Sequence, residues 1–301
     1  MRIFVTGATG FIGAEVTREL LAAGHRVLGL ARSPAGVAAL AALGAEVHEG
    51  RIEDVEGLRA AAAGADGVIH LAFNHDFSRF AQNCEDDRRV VAALGAALAG
   101  SGRPLIVTSG TAAADHAPGQ PAREEDPAQS AAVMPRAATE EAAAAAAAGG
   151  VALSVVRLPQ VHDTRRQGLI TPAIAIAREK GVVAYVGDGR NRWPAAHLLD
   201  VARLYRLAIE RAAPDAVYHA VAEEGIAMRA IAETIGRRLG LPTASLSAED
   251  AGAHFGWLAR LMTADLPASS DRTRRLLDWQ PAGRGLIADL EELEVADPAE
   301  A

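Results

Sequence analysis

The 301-residue chain contains one cysteine, one lysine and few aromatic side chains. Cys84 alone cannot close an intrachain disulfide, which agrees with a reducing compartment, and its expected role is that of a small buried hydrophobe. Aromatic residues make up 4% of a sequence that is 50% hydrophobic, so Ala, Val, Leu and Ile must fill its core. No stretch reaches the roughly 18 uninterrupted apolar residues of a membrane helix. The net charge of −8 offers no broad attraction to nucleic-acid phosphates or anionic lipids, so neither nucleic acid nor membrane is an expected partner. The nine histidines include no pair at metal-ligand spacing with a supporting carboxylate, and no metal site is expected. The chain starts directly with strand-like Arg2-Ile3-Phe4-Val5, with no charged leader before an apolar signal core, so cytoplasmic residence is the default expectation.

What is present is an alternation of short β-branched runs with helical stretches, which requires crossover connections and hence a parallel sheet covered on both faces. After the first strand, candidates lie at 27–30, 45–48, 67–71, 104–108 and 151–157. Between the first two strands, Ile12, Val16 and Leu20 align one apolar helix stripe and Gly24 can end that helix. Residues 112–135 read as a long surface loop, and the alanine-rich 140–148 as a helix stopped by Gly149-Gly150. Beyond Arg157 the alternation loosens into a loop at 161–168, helices at 171–180 and 200–211, strands at 182–186 and 216–221, and a mainly helical remainder. The expected architecture is a Rossmann-like, doubly wound parallel α/β sheet with a smaller, mainly helical C-terminal substrate domain. Residues 1–162 form the first domain, with 190–222 returning to it, and 163–301 the second, mainly through 163–189 and 223–301.

Residues 6–13 (TGATGFIG) set Gly7, Gly10 and Gly13 between a strand and a helix, where small residues let the backbone approach a pyrophosphate. Thr9, Phe11 and Ile12 complete the loop, whose helix N-terminus favours an anion through unpaired N–H groups. At the end of the second strand, where an acidic residue would bind the ribose hydroxyls of NAD, stand Ala31 and Arg32, a pairing that favours NADP(H) over NAD(H). Arg51 and Ile52 follow the third strand as further adenosine-side candidates.

Residues 6–13 and 68–72 (VIHLA) resemble the extended branch of the short-chain dehydrogenase/reductase family, with its nucleotide-sugar epimerases and carbonyl reductases. Further matches are 105–109 (LIVTS), 157–159 (RLP), 186–200 (VGDGRNRWPAAHLLD) and 277–281 (LDWQP), so the resemblance spans nearly the whole chain. It implies cofactor contacts at Leu71, Ala72, Thr108, Pro159 and Val161, a substrate hydroxyl contact at Ser109 or Thr111, and a substrate contact at Arg192.

Family reductases use a Tyr and a Lys four residues later, the Lys lowering the phenol pKa for proton exchange. Here the only lysine, Lys180, follows Ile176, and no tyrosine has a Lys four residues on. The lost pair falls near Met134 and Ala138, with Arg136 the nearby basic group and a candidate for binding a substrate oxygen or phosphate. A replacement donor must titrate near neutrality, which points to loop histidines His75, His116 and His162. His162, beside the expected nicotinamide position, ranks first as catalyst, His75 with Asp76 second, and His70 reads as a core histidine. The resulting expectation is an NADP(H)-dependent oxidoreductase acting on a small carbonyl or hydroxyl compound, as a monomer or homodimer. A catalytically silent NADP(H)-binding redox sensor, or a non-redox isomerase or lyase retaining cofactor, are the alternatives.

Overall fold

The computed structural model describes residues 1–294, so residues 295–301 of the expected second domain lie outside the described residues. The chain runs β1 (Arg2–Thr6), α1 (Phe11–Ala22), β2 (Arg26–Ala31), α2 (Pro34–Ala42), β3 (Glu46–Glu49), α3 (Val55–Ala63), β4 (Gly67–His70), α4 (Phe80–Leu98), β5 (Pro104–Gly110), α5 (Ala138–Ala148) and β6 (Ala152–Leu158). It continues through β7 (Gln160–His162), α6 (Ile170–Lys180), β8 (Val183–Val186), β9 (Arg192–His197), α7 (Leu198–Arg211) and β10 (Ala216–His219). The last part comprises β11 (Glu223–Ala227), α8 (Met228–Leu239), β12 (Thr243–Leu246), α9 (Ala248–Phe255), α10 (Ala259–Met262), α11 (Asp271–Leu277) and α12 (Leu286–Glu291).

Seven strands form one parallel sheet in the order β10-β6-β5-β4-β1-β2-β3. Strand order reverses between β1 and β4, and ligands of such sheets bind in the crevice where the carboxyl ends diverge. The central strands are buried on both sides because α1, α2 and α7 pack on one face and α3, α4 and α5 on the other. In α1, Gly13, Val16, Thr17 and Leu20 are buried at helical spacing. The alanine tract of α5 lets it lie close to α4, where a Cβ on Gly95 would sit 2.7 Å from the Ala146 Cβ.

The second core gathers α6, β8, α8, α9 and α12 with Trp193 of β9. Two small sheets brace it: β11-β9-β7, and β12 paired with β8. Leu277 and Trp279 pack instead into the nucleotide-domain core, where Trp279 donates its indole N–H to the Asp200 carbonyl. The expected loop at 161–168 begins inside β7, so Val161 and His162 are strand residues.

Residues 112–135 are largely irregular, as read from their composition, but buried polar groups moor them. Glu124 accepts from the backbone N–H and hydroxyl of Thr273, both at 2.7 Å. Arg157 of β6 is only 1% exposed; it donates to both Glu140 carboxylate oxygens, at 2.8 and 3.0 Å, and to the Asp126 carbonyl. Its third partner is His219 Nε2 at 3.3 Å, and burial together with the Arg157 charge pushes the His219 pKa down to about 4. Removing one member of such a pair strands the other charge. Arg157→Met is therefore expected to lower the unfolding free energy by about 3–5 kcal/mol in urea titrations. Adding Glu140→Leu should recover most of that loss.

Candidate functional site

The glycine loop joins β1 to α1 at the switch point. Gly7 has φ +69°, and a Cβ there would meet the Ala72 backbone nitrogen at 2.7 Å. A Cβ on Gly13 would lie 2.0 Å from the Gly7 carbonyl oxygen, whereas Gly10 turns the chain by donating its N–H to that oxygen. No side chain caps α1 and its first turn carries no acid, so the N–H groups around Phe11, Ile12 and Gly13 suit a bound phosphate. This cradle, closed against Leu71 and Ala72, fits a dinucleotide pyrophosphate. Thr9 is exposed beside the β2–α2 turn, its methyl 3.1 Å from where a Gly36 Cβ would lie. Arg32 in that turn is exposed and has no hydrogen bond or ion pair among the described residues. Gly50 donates to the Ala31 carbonyl, bringing exposed Arg51 and half-buried Ile52 to the same edge.

Beside the cradle lies a buried polar chain. The arrangement that satisfies every group has Thr6 accept the Leu71 and Ala72 N–H groups, each at 3.2 Å, and donate to His70 Nδ1 at 2.7 Å. His70 Nε2 then donates to Asp87 Oδ1 at 3.0 Å, so His70 is the core histidine expected. Asp87 Oδ2 accepts from Arg136 Nη1 at 2.8 Å and from the Thr139 hydroxyl. Burial alone would raise the Asp87 pKa; the Arg136 charge, helped by His70, instead holds it at about 2.

Arg136 is bracketed on several sides. It occupies the 3₁₀ turn Pro135–Ala137 ahead of α5, donates from Nη1 also to Thr139 and from Nη2 to the Thr108 carbonyl at 2.7 Å, and lies 4.3 Å over the Phe73 ring. Ala138, where the missing Lys would stand, is fully buried. His75 is solvent-facing yet flanked by Phe73 and Phe77, and desolvation by its surroundings, with the Arg136 charge adding, holds its pKa below the usual imidazole value.

Several expected residues play other parts. The Thr108 hydroxyl donates to the His70 carbonyl and accepts from Tyr205, so it faces the core rather than a cofactor; only its carbonyl serves the site. Ser109 is 4% exposed and its Oγ has no partner, while Thr111 reaches the Leu158 carbonyl at a long 3.5 Å. His162 is completely buried: Nδ1 pairs with Asp289 of α12 at 2.7 Å, and desolvation lowers its pKa against the pull of that carboxylate. An imidazole sealed in the interdomain core does not serve as the solvent-facing loop donor expected. Pro159 and Val161 are buried at the carboxyl edge of β6. Arg192 is committed to Asp265 through two hydrogen bonds, at 2.8 and 3.1 Å, and to the Gly119 carbonyl, so it staples β9 to neighbouring segments rather than reaching for a ligand. His116 sits against the Ala114 carbonyl. Among the described residues no group of three or more His, Cys, Asp or Glu is arranged to hold a metal ion.

The model of the NAD dependent epimerase/dehydratase family matches residues 3–222. The chain belongs to this family. An uncharacterized protein of Schizosaccharomyces pombe is 44% identical over 96% of this chain and 98% of its own length, and one of Saccharomyces cerevisiae is 41% identical over 96% and 98%. Among solved structures, dTDP-glucose 4,6-dehydratase from Streptomyces venezuelae with NAD bound superposes with a TM-score of 0.78 at 19% identity, covering 97% of this chain and 95% of that one. UDP-glucose 4-epimerase from Thermotoga maritima gives 0.75 at 20% identity, covering 97% of each chain. These likenesses establish the Rossmann-like fold of the extended short-chain dehydrogenase/reductase class, and the family's cofactor is a nicotinamide dinucleotide. No helix among the described residues is long and apolar enough to cross a membrane.

Two contributors escape sequence reasoning. Asp87 sits in an acidic, outwardly ordinary helix segment, and only its burial marks it. Arg166, in a loop ordered by Asp163 accepting two backbone N–H groups, lies 6.0 Å over the Phe11 ring and brings a cation to the α1 N-terminus. The cradle itself leaves no room for a methyl group. Gly13→Ala is expected to weaken nicotinamide-dinucleotide binding at least tenfold in fluorescence titration and to lower stability by about 1–3 kcal/mol through overpacking.

Proposed function

We propose that the protein is an NADP(H)-dependent oxidoreductase that transfers hydride to or from a small carbonyl or hydroxyl compound, with Arg136 standing in for the absent Tyr and Lys. The supporting observation is the bracketed guanidinium beside the carboxyl end of β5, one residue from the unpaired Ser109 hydroxyl. Of the five guanidinium N–H groups, Asp87, Thr139 and the Thr108 carbonyl engage three, leaving Nε–H and one on Nη2 for a substrate oxygen.

When bound, the reduced nicotinamide supplies a hydride. During reduction of a carbonyl, Arg136 would stabilise the negative charge that develops on the oxygen and Ser109 would orient that oxygen. Arginine holds its protons at neutral pH, so the proton must come from elsewhere. His75, which shares the Phe73 ring with the guanidinium and feels its charge, takes that role here in place of His162. Arg32 and Arg51, at adjacent strand ends, support a preference for the 2′-phosphate of NADP(H).

Assays of NADPH consumption against a carbonyl panel test this reading. Turnover should be largely lost in Arg136→Lys, which keeps a cation beside Asp87 but leaves no N–H for a substrate oxygen, while NADPH binding persists. Reduction should fall as pH rises through a pKa below 6.5, because the proton-donating imidazolium disappears, and this limb should vanish in His75→Gln. Tight NADPH binding without turnover on any panel member would favour the sensor reading. For the cofactor, Arg32→Ala should weaken NADPH by roughly tenfold to a hundredfold, the worth of a charge-assisted hydrogen bond, and leave NADH unchanged. Tighter binding of NADH by the unaltered protein would reject the preference.

A further inference from the structure

The short turn between β7 and α6 is tightly built. His162 and Gln167 face each other across an isolated antiparallel bridge, and Asp163 donates its N–H to the Arg166 carbonyl at 2.8 Å. The Asp163 carboxylate accepts the Arg165 and Arg166 N–H groups, both at 2.7 Å. Gln167, only 1% exposed, donates from its side chain to the Asp163 carbonyl at 3.0 Å and from its backbone to the Thr171 hydroxyl at 2.8 Å. Gly168 follows with φ +55°, and a Cβ there would lie 2.6 Å from Gln160 Oε1, which accepts the Leu169 N–H. The backbone of Arg166 is thus fixed from both sides.

Its side chain is uncommitted. The guanidinium is solvent-facing and has no hydrogen bond or ion pair among the described residues, whereas neighbouring Arg165 faces Asp163 and Glu294 at 3.8 and 4.0 Å. What Arg166 meets is the Phe11 ring, 6.0 Å from Cζ. Phe11 opens α1, a helix of 12 residues with no side-chain cap and no acid in its first turn. A cation beside the positive end of an uncapped helix stands against charge of its own sign, and a ring face at that distance is at the limit of cation–π attraction. Both positive groups gain from one anion shared between them.

We infer that Arg166 is a pyrophosphate-binding residue for the dinucleotide, its guanidinium and the α1 N–H groups sharing the same anion. This rests on the glycine cradle as a dinucleotide site and is independent of the oxidoreductase reading and of the NADP(H) preference, because NAD and NADP carry the same pyrophosphate. A guanidinium fork matches two phosphate oxygens at once, which an ammonium does not. The residue comes from outside the β1–α1 unit: Thr164 of the same turn accepts the Glu294 N–H at 2.8 Å, so the group that completes the cofactor site is moored to the end of the second domain.

Calorimetric titration of NAD⁺ and NADP⁺ into the unaltered protein, Arg166→Gln and Arg166→Lys, with the melting temperature of each cofactor-free protein, tests this without turnover. Arg166→Gln should weaken both dinucleotides by the same factor, about tenfold, and the gap should narrow at high salt as the exposed charge is screened. Arg166→Lys should lose less. Cofactor-free stability should stay unchanged or rise, since a cation leaves a positive helix end. A lower melting temperature of cofactor-free Arg166→Gln, with an affinity loss that Phe11→Leu reproduces, would make the contact a structural staple and overturn the proposal. A loss confined to NADP⁺ also overturns it, placing Arg166 at the 2′-phosphate. Undiminished binding of both dinucleotides by Arg166→Gln, with Gly13→Ala still weakening them, rejects the pyrophosphate contact and leaves the cradle; indifference to both substitutions rejects the cradle with it.

Discussion

The site hangs on the ion pair between Asp87 and Arg136. A carboxylate that is almost wholly buried survives as an anion only because a guanidinium, an imidazole N–H and a hydroxyl all point at it. Those donors come from β4 and from the start of α5, while Arg136 also grips the end of β5. The pair thereby fixes three segments relative to one another at the sheet's carboxyl edge. Through His70 and Thr6 the same chain reaches the amides of Leu71 and Ala72, which close the glycine cradle. The glycine cradle and the Arg136 cluster are one hydrogen-bonded unit.

Arginine suits this post for a reason lysine cannot match. The planar fork meets a carboxylate, a hydroxyl and a carbonyl in different directions and still keeps N–H groups in reserve. An ammonium with three donors would be exhausted by the same partners. Ala138 is buried and carries no polar group, so the charge that the family pattern would put there arrives from two residues earlier. In the proposed reaction, electrophilic assistance and proton supply, joined in a Tyr–Lys pair in family reductases, would be divided between Arg136 and His75.

The sheet, the glycine loop and His70 were legible because their logic is local. Strand, turn and helix within 2–22 determine where the loop's amides stand, and the period of Val16 and Leu20 determines which helix face is buried. His162 and Arg192 misled because their fates depend on carboxylates far along the chain. Asp289 lies 127 residues after His162, and Asp265 lies 73 after Arg192. A loop-like sequence around a histidine cannot disclose that a distant helix will seal it. Thr108 misled for a subtler reason: strand alternation turns its hydroxyl toward Tyr205 of α7, while its backbone carbonyl does the positioning. The alanine tract looked merely helical, yet its small side chains are what bring α4 and α5 together beside Asp87 and Thr139.

This difference in range has a functional consequence. The backbone contacts that shape the glycine loop come from the first 72 residues, with Arg166 and the Asp87 chain reaching it from further along. The groups proposed to face a substrate come from the loop after β4, the end of β5 and the entrance to α5. None is fixed by the cradle's own geometry. Exchanging a Tyr–Lys relay for an arginine requires only that a carboxylate be buried within reach to hold it, and α4 supplies one in Asp87. The glycine loop rests on local contacts and the proposed reacting groups on long-range ones, which is why the loop alone could not name the chemistry.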